Sequence, residues 1–168
     1  MFDAFGKAVA TNPALVLHLL GSVSPTNAAL ARAEIPETNL RMEGFVPHDM
    51  ALQRMADADV LVVISSVSES GAGTLTGKIF ECLAVGRPIV LLASGGPAAD
   101  LIERCDAGFA VSPTDVNGVT SAILEMADRA AAYVPPGPAV LAPYDRERQA
   151  RRWSDLLEST SIVDATRD

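Results

Sequence analysis

The sequence predicts an α/β fold in which helices cover both faces of a doubly wound parallel sheet. Short, continuously apolar runs recur along the chain, and the clearest are Val60–Ile64 and Ile89–Leu92. Such runs are typical of parallel strands that are buried on both faces. Between them, the apolar residues of Gly77–Val85 repeat at helical spacing, and Gly86 then favours a helix end. This strand, helix and strand make a βαβ unit, and the same alternation elsewhere predicts a Rossmann-like sheet.

The segment before this unit also alternates between helix and strand patterns. Apolar residues recur at helical spacing from the start of the chain, and Asn12-Pro13 interrupts that pattern. Gly44–Pro47 then turns the chain into a helix whose inward side chains are predicted to be Leu52, Met55 and Ala56. The predicted elements are a helix from Phe2 to Val9, a strand from Ala14 to Leu20, a helix from Thr26 to Ala33 capped by Thr26, and a strand from Asn39 to Glu43.

The segment after Leu92 continues the alternation and then changes in composition. A helix from Ala98 to Arg104, a strand from Gly108 to Val111 and a helix capped within residues 112–115 are predicted. Proline and glycine then cluster, which favours a stiff linker. We therefore predict a Rossmann-like domain at residues 1–132, incomplete at its N-terminus, a Pro-rich linker at 133–142, a last helix at 143–158 that packs back, and a flexible tail at 159–168.

The composition limits the possible functions. The chain has 168 residues, of which 49% are hydrophobic and 20% charged, as expected of one globular domain with an ample core. Its formal net charge of -8 argues against a nucleic-acid or anionic-membrane surface. Cys82 and Cys105 lack metal-ligand spacing and are interpreted as reduced structural thiols, and His18 and His48 suggest no metal site. With no leader or membrane-spanning pattern and no cofactor motif, a cytoplasmic location is expected.

A motif in the central unit carries a family resemblance. From Thr76 to Ile89 the chain reads TGKIFECLAVGRPI, which resembles the nucleotide-sugar-binding half of retaining glycosyltransferases of the GT-B fold. It is similar to the large group-1, family 4-like set, whose members often show a K-x-x-E block followed by G-(R/K)-P. GFVPH at 44–48, ADADV at 56–60 and GGP at 95–97 add to the resemblance, which extends to about Leu157.

The resemblance implies a donor site at the start of the helix beginning at Gly77. The matching glutamate of the family, here Glu81, accepts hydrogen bonds from the donor ribose, and the first free N–H groups of a helix suit a diphosphate. Lys78 would add a point charge. The implied partner is a nucleoside-diphosphate sugar, UDP- or GDP-linked, and no catalytic side chain is assigned. The candidate substrate-binding residues are Glu81, Lys78, Gly77, Thr76, the nucleobase-edge pair Phe45 and Val46, and, more weakly, Ser66.

The chain departs from the family pattern in two ways. Many relatives carry a second glutamate eight residues before the ribose-binding one, where this chain has Gly73, and Glu69 lies too far upstream to replace it. Members also have an N-terminal acceptor domain, and their donor domain opens with a central strand. The resemblance implies that both are missing here. The strands at 14–20 and 60–64 are then expected either to leave a vacant position between them or to pair directly.

Several alternatives stay open. Glu81 is also compatible with a solvated helix position, and Lys78 with a surface lysine that pairs with Glu81. Gly71–Gly77 invites a dinucleotide-binding interpretation, but its spacing is one residue too long and no acid ends the next strand. His48 is interpreted as a capping or surface residue in preference to a catalytic base. The arginines around Trp153 are interpreted as a solvated face.

The predicted function is therefore the donor-binding half of a retaining glycosyltransferase with an unidentified acceptor. Such a chain is expected to be inactive as an isolated fragment, because half of the active-site cleft would be absent. The alternative is a non-catalytic product: a nucleotide-binding, truncated or assembly module with no activity of its own.

Overall fold

The computed structural model describes residues 1–65 and 76–164, which form two compact units, Met1–Pro135 and Pro136–Asp168. In the first unit helices and strands alternate, which confirms the predicted fold class. Its helices are α1 (Phe2–Thr11), α2 (Pro25–Glu34), α3 (His48–Asp57), α4 (Gly77–Val85), α5 (Pro97–Arg104) and α6 (Val116–Arg129). Its strands are β1 (Leu17–Leu20), β2 (Leu40–Gly44), β3 (Leu61–Ile64), β4 (Ile89–Leu92) and β5 (Gly108–Val111).

A side-chain cap and a 3₁₀ turn set two boundaries that differ from the sequence-based ones. The cap of α2 is Ser24, not Thr26, because the Ser24 hydroxyl accepts the Asn27 N–H at 3.2 Å and Pro25 occupies the first helical position. β2 begins after Asn39, because Glu37–Asn39 forms a 3₁₀ turn. The Asn39 amide is buried there and donates to the carbonyl oxygens of Pro13 (2.9 Å) and Leu15 (2.6 Å), which ties this turn to the entrance of β1.

The described strands form two separate parallel sheets. β3, β4 and β5 pair in that order, with Leu61 opposite Ile89 and Ile89 opposite Gly108. β1 pairs with β2, with Leu17 opposite Leu40. Within the described residues no hydrogen-bonded ladder joins β1 to β3. Of the two expected arrangements, direct pairing is therefore wrong, and the described strands form an interrupted sheet. A vacant strand position between β1 and β3 stays a prediction.

One hydrophobic cluster connects the two sheets. It lies under α1 and α6, which pack against each other, and the Thr120 hydroxyl of α6 donates to the Ala4 carbonyl of α1 at 3.1 Å. Since residues of both sheets belong to this cluster, burial of apolar surface holds the two sheets in one unit, although no strand ladder joins them within residues 1–65 and 76–164. Its buried members are Ala4, Phe5, Ala8, Val9, Leu17, Ile35, Val90, Leu92, Val119, Ala122, Ile123 and Met126.

The guanidinium of Arg87 joins the end of α3 to the turn between α4 and β4. Its Nε and Nη2 atoms donate to the Ala56 carbonyl oxygen at 2.9 and 2.7 Å. Arg87→Met is therefore expected to lower the free energy of unfolding by about 1–2 kcal/mol, because it leaves a helix-end carbonyl unpaired. Urea denaturation measures this. Arg104→Met, on the exposed end of α5, is the matched control, and equal loss in both variants would contradict the role of Arg87.

The second unit is helical. Pro138 opens the one-turn helix α7 (Pro138–Leu141) inside the stretch expected to be a linker, because proline suits the first position of a helix. A 3₁₀ turn, Ala142–Tyr144, precedes the helix α8 (Arg146–Asp164), which continues beyond the predicted end at 158. Residues 165–168 lie outside the described part of the chain. No helix of the described residues combines the length and apolarity needed to cross a bilayer.

Candidate functional site

The N-terminus of α4 lies at the carboxyl edge of the three-stranded sheet. β3 ends at Ile64, the chain re-enters the described part at Thr76, and α4 then runs back toward the start of β4 at Ile89. Because β3 and β4 are parallel, the helix that connects them begins on the side of the sheet where β3 ends. Ligands of open α/β sheets bind at this edge.

Within the described part of the chain, the first turn of α4 has backbone donors without a partner and open space beside Gly77. Thr76 precedes the helix in an extended conformation, and its side chain makes no capping bond. The Ile79 N–H donates to the Thr76 carbonyl at 3.2 Å, whereas the N–H groups of Gly77 and Lys78 come too early for an intrahelical partner. Among the described residues, nothing lies within 4 Å of a Cβ added at Gly77. Free N–H groups and the helix dipole make this end suitable for an anion.

Lys78 and Glu81 carry opposite charges on adjacent turns of α4. Lys78 is exposed and Glu81 is partly buried. Across residues 1–65 and 76–164 no salt bridge joins them, so the structure does not support the alternative that they neutralise each other. The arrangement places a cation beside the N-terminus of α4 and a hydrogen-bond acceptor one turn further along.

Phe45 and Val46 lie in the short loop between β2 and α3. Phe45 is 86% exposed, although it is a large aromatic residue, and Val46 is partly buried. Gly44, which ends β2, has a φ of 76°, a conformation that glycine adopts without strain. Its carbonyl oxygen accepts the Gly21 N–H at 2.6 Å, which fixes the start of the loop to the end of β1.

The packing of α3 on α4 brings this loop to the same edge as the N-terminus of α4. The two helices contact each other, and Arg87, just after α4, donates to Ala56, near the end of α3. The C-terminal ends of these similarly long helices are therefore close together. α3 leads into β3 and α4 leads into the adjacent parallel strand β4, so both helices end at the same edge of the sheet. Helices that connect parallel strands run back along the sheet, so we expect the N-terminal ends, which carry the loop at 45–47 and Gly77, on the opposite side of the unit.

Sequence reasoning missed a charged cluster beneath this loop. The Arg54 guanidinium of α3 donates to both carboxylate oxygens of Glu43 on β2, at 3.0 Å each, and His18 of β1 lies 2.9 Å from the same carboxylate. The hydrogen bond from Arg54 lowers the pKa of Glu43, and Glu43 raises the pKa of Arg54. In the sequence, the alternation of Arg41 and Glu43 with Leu40 and Met42 indicated only that Glu43 faces away from the core, and it gave no partner for the carboxylate.

Other candidates have more limited roles. Cys82 and Cys105 are free and buried, and burial raises the pKa of Cys82 to about 11, so its thiol is protonated at neutral pH. His48 is exposed on the first turn of α3, and none of the described side chains caps that helix, so of the two roles expected for His48 it is the surface one that the structure shows. The described part of the chain holds no cluster of three metal-ligating side chains. Ser66, Glu69 and Gly73 lie outside the described residues.

Comparison with known proteins gives a family match and a fold match. Residues 1–129 match the family model described as glycosyl transferases group 1. A search of curated protein sequences found no significant match. Sucrose-phosphate synthase from Thermosynechococcus elongatus has a similar structure, with a TM-score of 0.72 and 20% sequence identity over 96% of this chain and 42% of that one.

Two further solved structures are similar and contain UDP. A point mutant of S. aureus TarM in complex with fondaparinux, alpha-GlcNAc-glycerol and UDP has a TM-score of 0.70 and 18% identity, covering 92% of this chain and 31% of that one. Anabaena HepE in complex with UDP has a TM-score of 0.64 and 20% identity, covering 93% of this chain and 44% of that one. The chain therefore spans less than half of each of these structures, and identities at this level show the fold alone.

Proposed function

Because this chain belongs to the group 1 glycosyltransferase family and has the fold of one half of a GT-B enzyme, we propose that it binds a nucleoside-diphosphate sugar as the donor half of a retaining glycosyltransferase. The observation that carries the proposal is the open N-terminus of α4, with Lys78 beside it and Glu81 one turn later, at the carboxyl edge of a parallel sheet.

Each group on α4 has a separate task in the proposal. The N–H groups of Gly77 and Lys78, with the Lys78 ammonium, bind the diphosphate, and Thr76 lies at its rim. Glu81 accepts hydrogen bonds from the ribose hydroxyls. One helical turn rises about 5.4 Å, so a ligand that lies along the first turn can contact both groups. Ser66 is a further candidate for the diphosphate rim.

The same groups would assist departure of the nucleotide. As the bond between the anomeric carbon and the diphosphate oxygen breaks, negative charge accumulates on the diphosphate. The positive end of α4 and the Lys78 ammonium are suited to stabilise that charge without a proton transfer. No side chain of this chain is proposed as a nucleophile or general base.

The chain alone is proposed to lack sugar-transfer activity. It spans 31–44% of the three similar structures described above, and an acceptor-binding domain is proposed to come from the remainder of a longer polypeptide. UDP is the first nucleotide to test because TarM and HepE were each solved with it. A non-catalytic nucleotide-binding module is the alternative, since the same site would bind a nucleotide without transferring a sugar.

Calorimetric titration of the chain with UDP, GDP, ADP and inorganic pyrophosphate tests the donor site. We expect one nucleoside diphosphate to bind more tightly than the others and more tightly than pyrophosphate. Failure to bind any of the four would overturn the proposal for this chain. Tight UDP binding without hydrolysis or transfer of UDP-linked sugars, in the chain and in any longer natural form of it, would favour the non-catalytic module.

The interrupted sheet supports a further part of the proposal, a strand that fills the position between β1 and β3. Leu61 and Ser65 donate their N–H groups to Pro88 (2.9 Å) and Leu92 (3.1 Å) on the β4 side. Because backbone groups alternate along a strand, those of Val62 and Ile64 point to the opposite edge, where no described strand pairs with β3. Such an edge is a template for another strand.

Hydrogen exchange resolved by residue tests this vacant position. In the chain alone, the amides of Val62 and Ile64 are expected to exchange about 100-fold faster than those of Val63 and Ser65, because only the latter face β4. In a longer polypeptide that supplies the strand, this difference should largely disappear. Equal protection of both sets in the chain alone would contradict an open edge.

A further inference from the structure

The loop that carries Phe45 and Val46 is anchored at both of its ends. On one side the Gly44 carbonyl accepts the Gly21 N–H at 2.6 Å, and on the other the Pro47 carbonyl accepts the Ala51 N–H at 2.9 Å as the first hydrogen bond of α3. Only Phe45 and Val46 lie between these anchors. The position of this short span therefore depends on how β1, β2 and α3 are held together.

A charged cluster holds these three elements together directly beneath the loop. Glu43 is the residue before Gly44, and its carboxylate takes two hydrogen bonds from Arg54 and one contact from His18. Arg54 lies within α3 and His18 within β1, so the carboxylate of one residue connects all three elements. The bidentate guanidinium–carboxylate pair also fixes the relative orientation of the two side chains, because both donors must align with both oxygens.

The anchored loop presents an aromatic side chain to solvent. Phe45 is 86% exposed, and fixing its ring costs little conformational entropy because the side chain has only two rotatable bonds. An exposed aromatic ring on a fixed backbone suits stacking or edge contact with a planar ligand. By the packing argument above, the loop faces the same side as the N-terminus of α4.

We propose that Glu43 and Arg54 are positioning residues that set the loop at Phe45 and Val46 for recognition of the nucleobase. The inference rests on the proposed donor site. It assigns to the Glu43–Arg54 pair a role in base preference, separate from the diphosphate contacts of α4. Neither residue touches the nucleotide; each acts through the backbone of Gly44 or through the start of α3.

Binding of UDP and of inorganic pyrophosphate, measured side by side, separates this role from a purely structural one. Arg54→Met is expected to weaken UDP binding about tenfold and to leave pyrophosphate binding unchanged. The tenfold loss corresponds to the conformational entropy of roughly one loop residue, which the variant has to order when UDP binds. Preference for UDP over the other nucleotides should fall by a similar factor. Arg54→Lys, which keeps the charge and one hydrogen bond, should give an intermediate result.

Two control variants make the result specific. Arg41→Met removes an exposed arginine from β2, the strand that carries Glu43, and should leave both affinities unchanged. Phe45→Ala should weaken UDP binding and not pyrophosphate binding, as Arg54→Met does, without disturbing the fold because its ring is exposed. Unchanged UDP affinity in Arg54→Met, or equal loss of UDP and pyrophosphate binding, would overturn the inference. If the unsubstituted chain binds pyrophosphate and binds no nucleotide more tightly than pyrophosphate, both proposals fail. If it prefers one nucleotide and Arg54→Met leaves that preference unchanged, only the positioning role of Glu43 and Arg54 fails.

Discussion

Glu81→Ala is expected to weaken binding of UDP to this chain by about 100-fold. The carboxylate lies one turn into α4, partly buried, and in the proposed complex it accepts hydrogen bonds from both ribose hydroxyls. A hydrogen bond to a charged group contributes about 1.5–3 kcal/mol, and two of them, reduced by partial exposure, amount to about two powers of ten in affinity. Titration calorimetry with UDP measures the change.

The ligand can be altered to show that the ribose is the partner. 2′-Deoxy-UDP lacks one of the two hydroxyls, so Glu81→Ala should reduce its affinity by a smaller factor than that of UDP. Glu81→Gln, which keeps an acceptor and loses the charge, should fall between the parent and the alanine variant. Glu103→Ala, at an exposed position of α5, is the control for loss of one helical carboxylate. An identical loss for UDP and its deoxy analogue would argue that Glu81 does not contact the 2′-hydroxyl.

The backbone fold was predictable because local sequence and global packing agree there. The continuous apolar run Ile89–Leu92 is fully buried as the middle strand of a sheet. Gly86 ends α4 with a φ of 75°, as expected of a glycine that follows a helical pattern. The caps were less predictable, because Ser24 and Thr26 are both suitable residues and only the course of the chain selects Ser24. The Asn39 amide pairs with carbonyls 24 and 26 positions away, a contact that no local pattern encodes.

The candidate site likewise has one part that the sequence predicts and one part that it does not. The residues on α4 could be named from a contiguous motif, since a helix fixes the relation between positions 77, 78 and 81. The cluster of His18, Glu43 and Arg54 could not, because it forms only when β1, β2 and α3 meet in space. In sequence these residues are ordinary surface charges. Contacts between elements thus decide the part of the site that sequence patterns do not reveal.

Gly108→Ala is expected to reduce the free energy of unfolding by about 3–5 kcal/mol, enough to unfold a marginal domain. Gly108 opens β5 with a φ of 146°, and a Cβ at this position would overlap the backbone of Ile89 on β4. Ile89 pairs with Leu61 on its other side and is completely buried, so the middle strand cannot move away. Backbone strain and overpacking, each about 1–3 kcal/mol, therefore act together.

Gly95→Ala separates the two contributions. Gly95 also has a positive φ, of 96°, but no described residue lies within 4 Å of an added Cβ, so this variant carries the conformational cost alone, about 1 kcal/mol. Urea denaturation of both variants should therefore show a much larger loss for Gly108→Ala. Similar losses at the two positions would mean that β5 can shift along or away from β4 to accommodate a methyl group. The register of Gly108 opposite Ile89 would then not be fixed by close backbone contact.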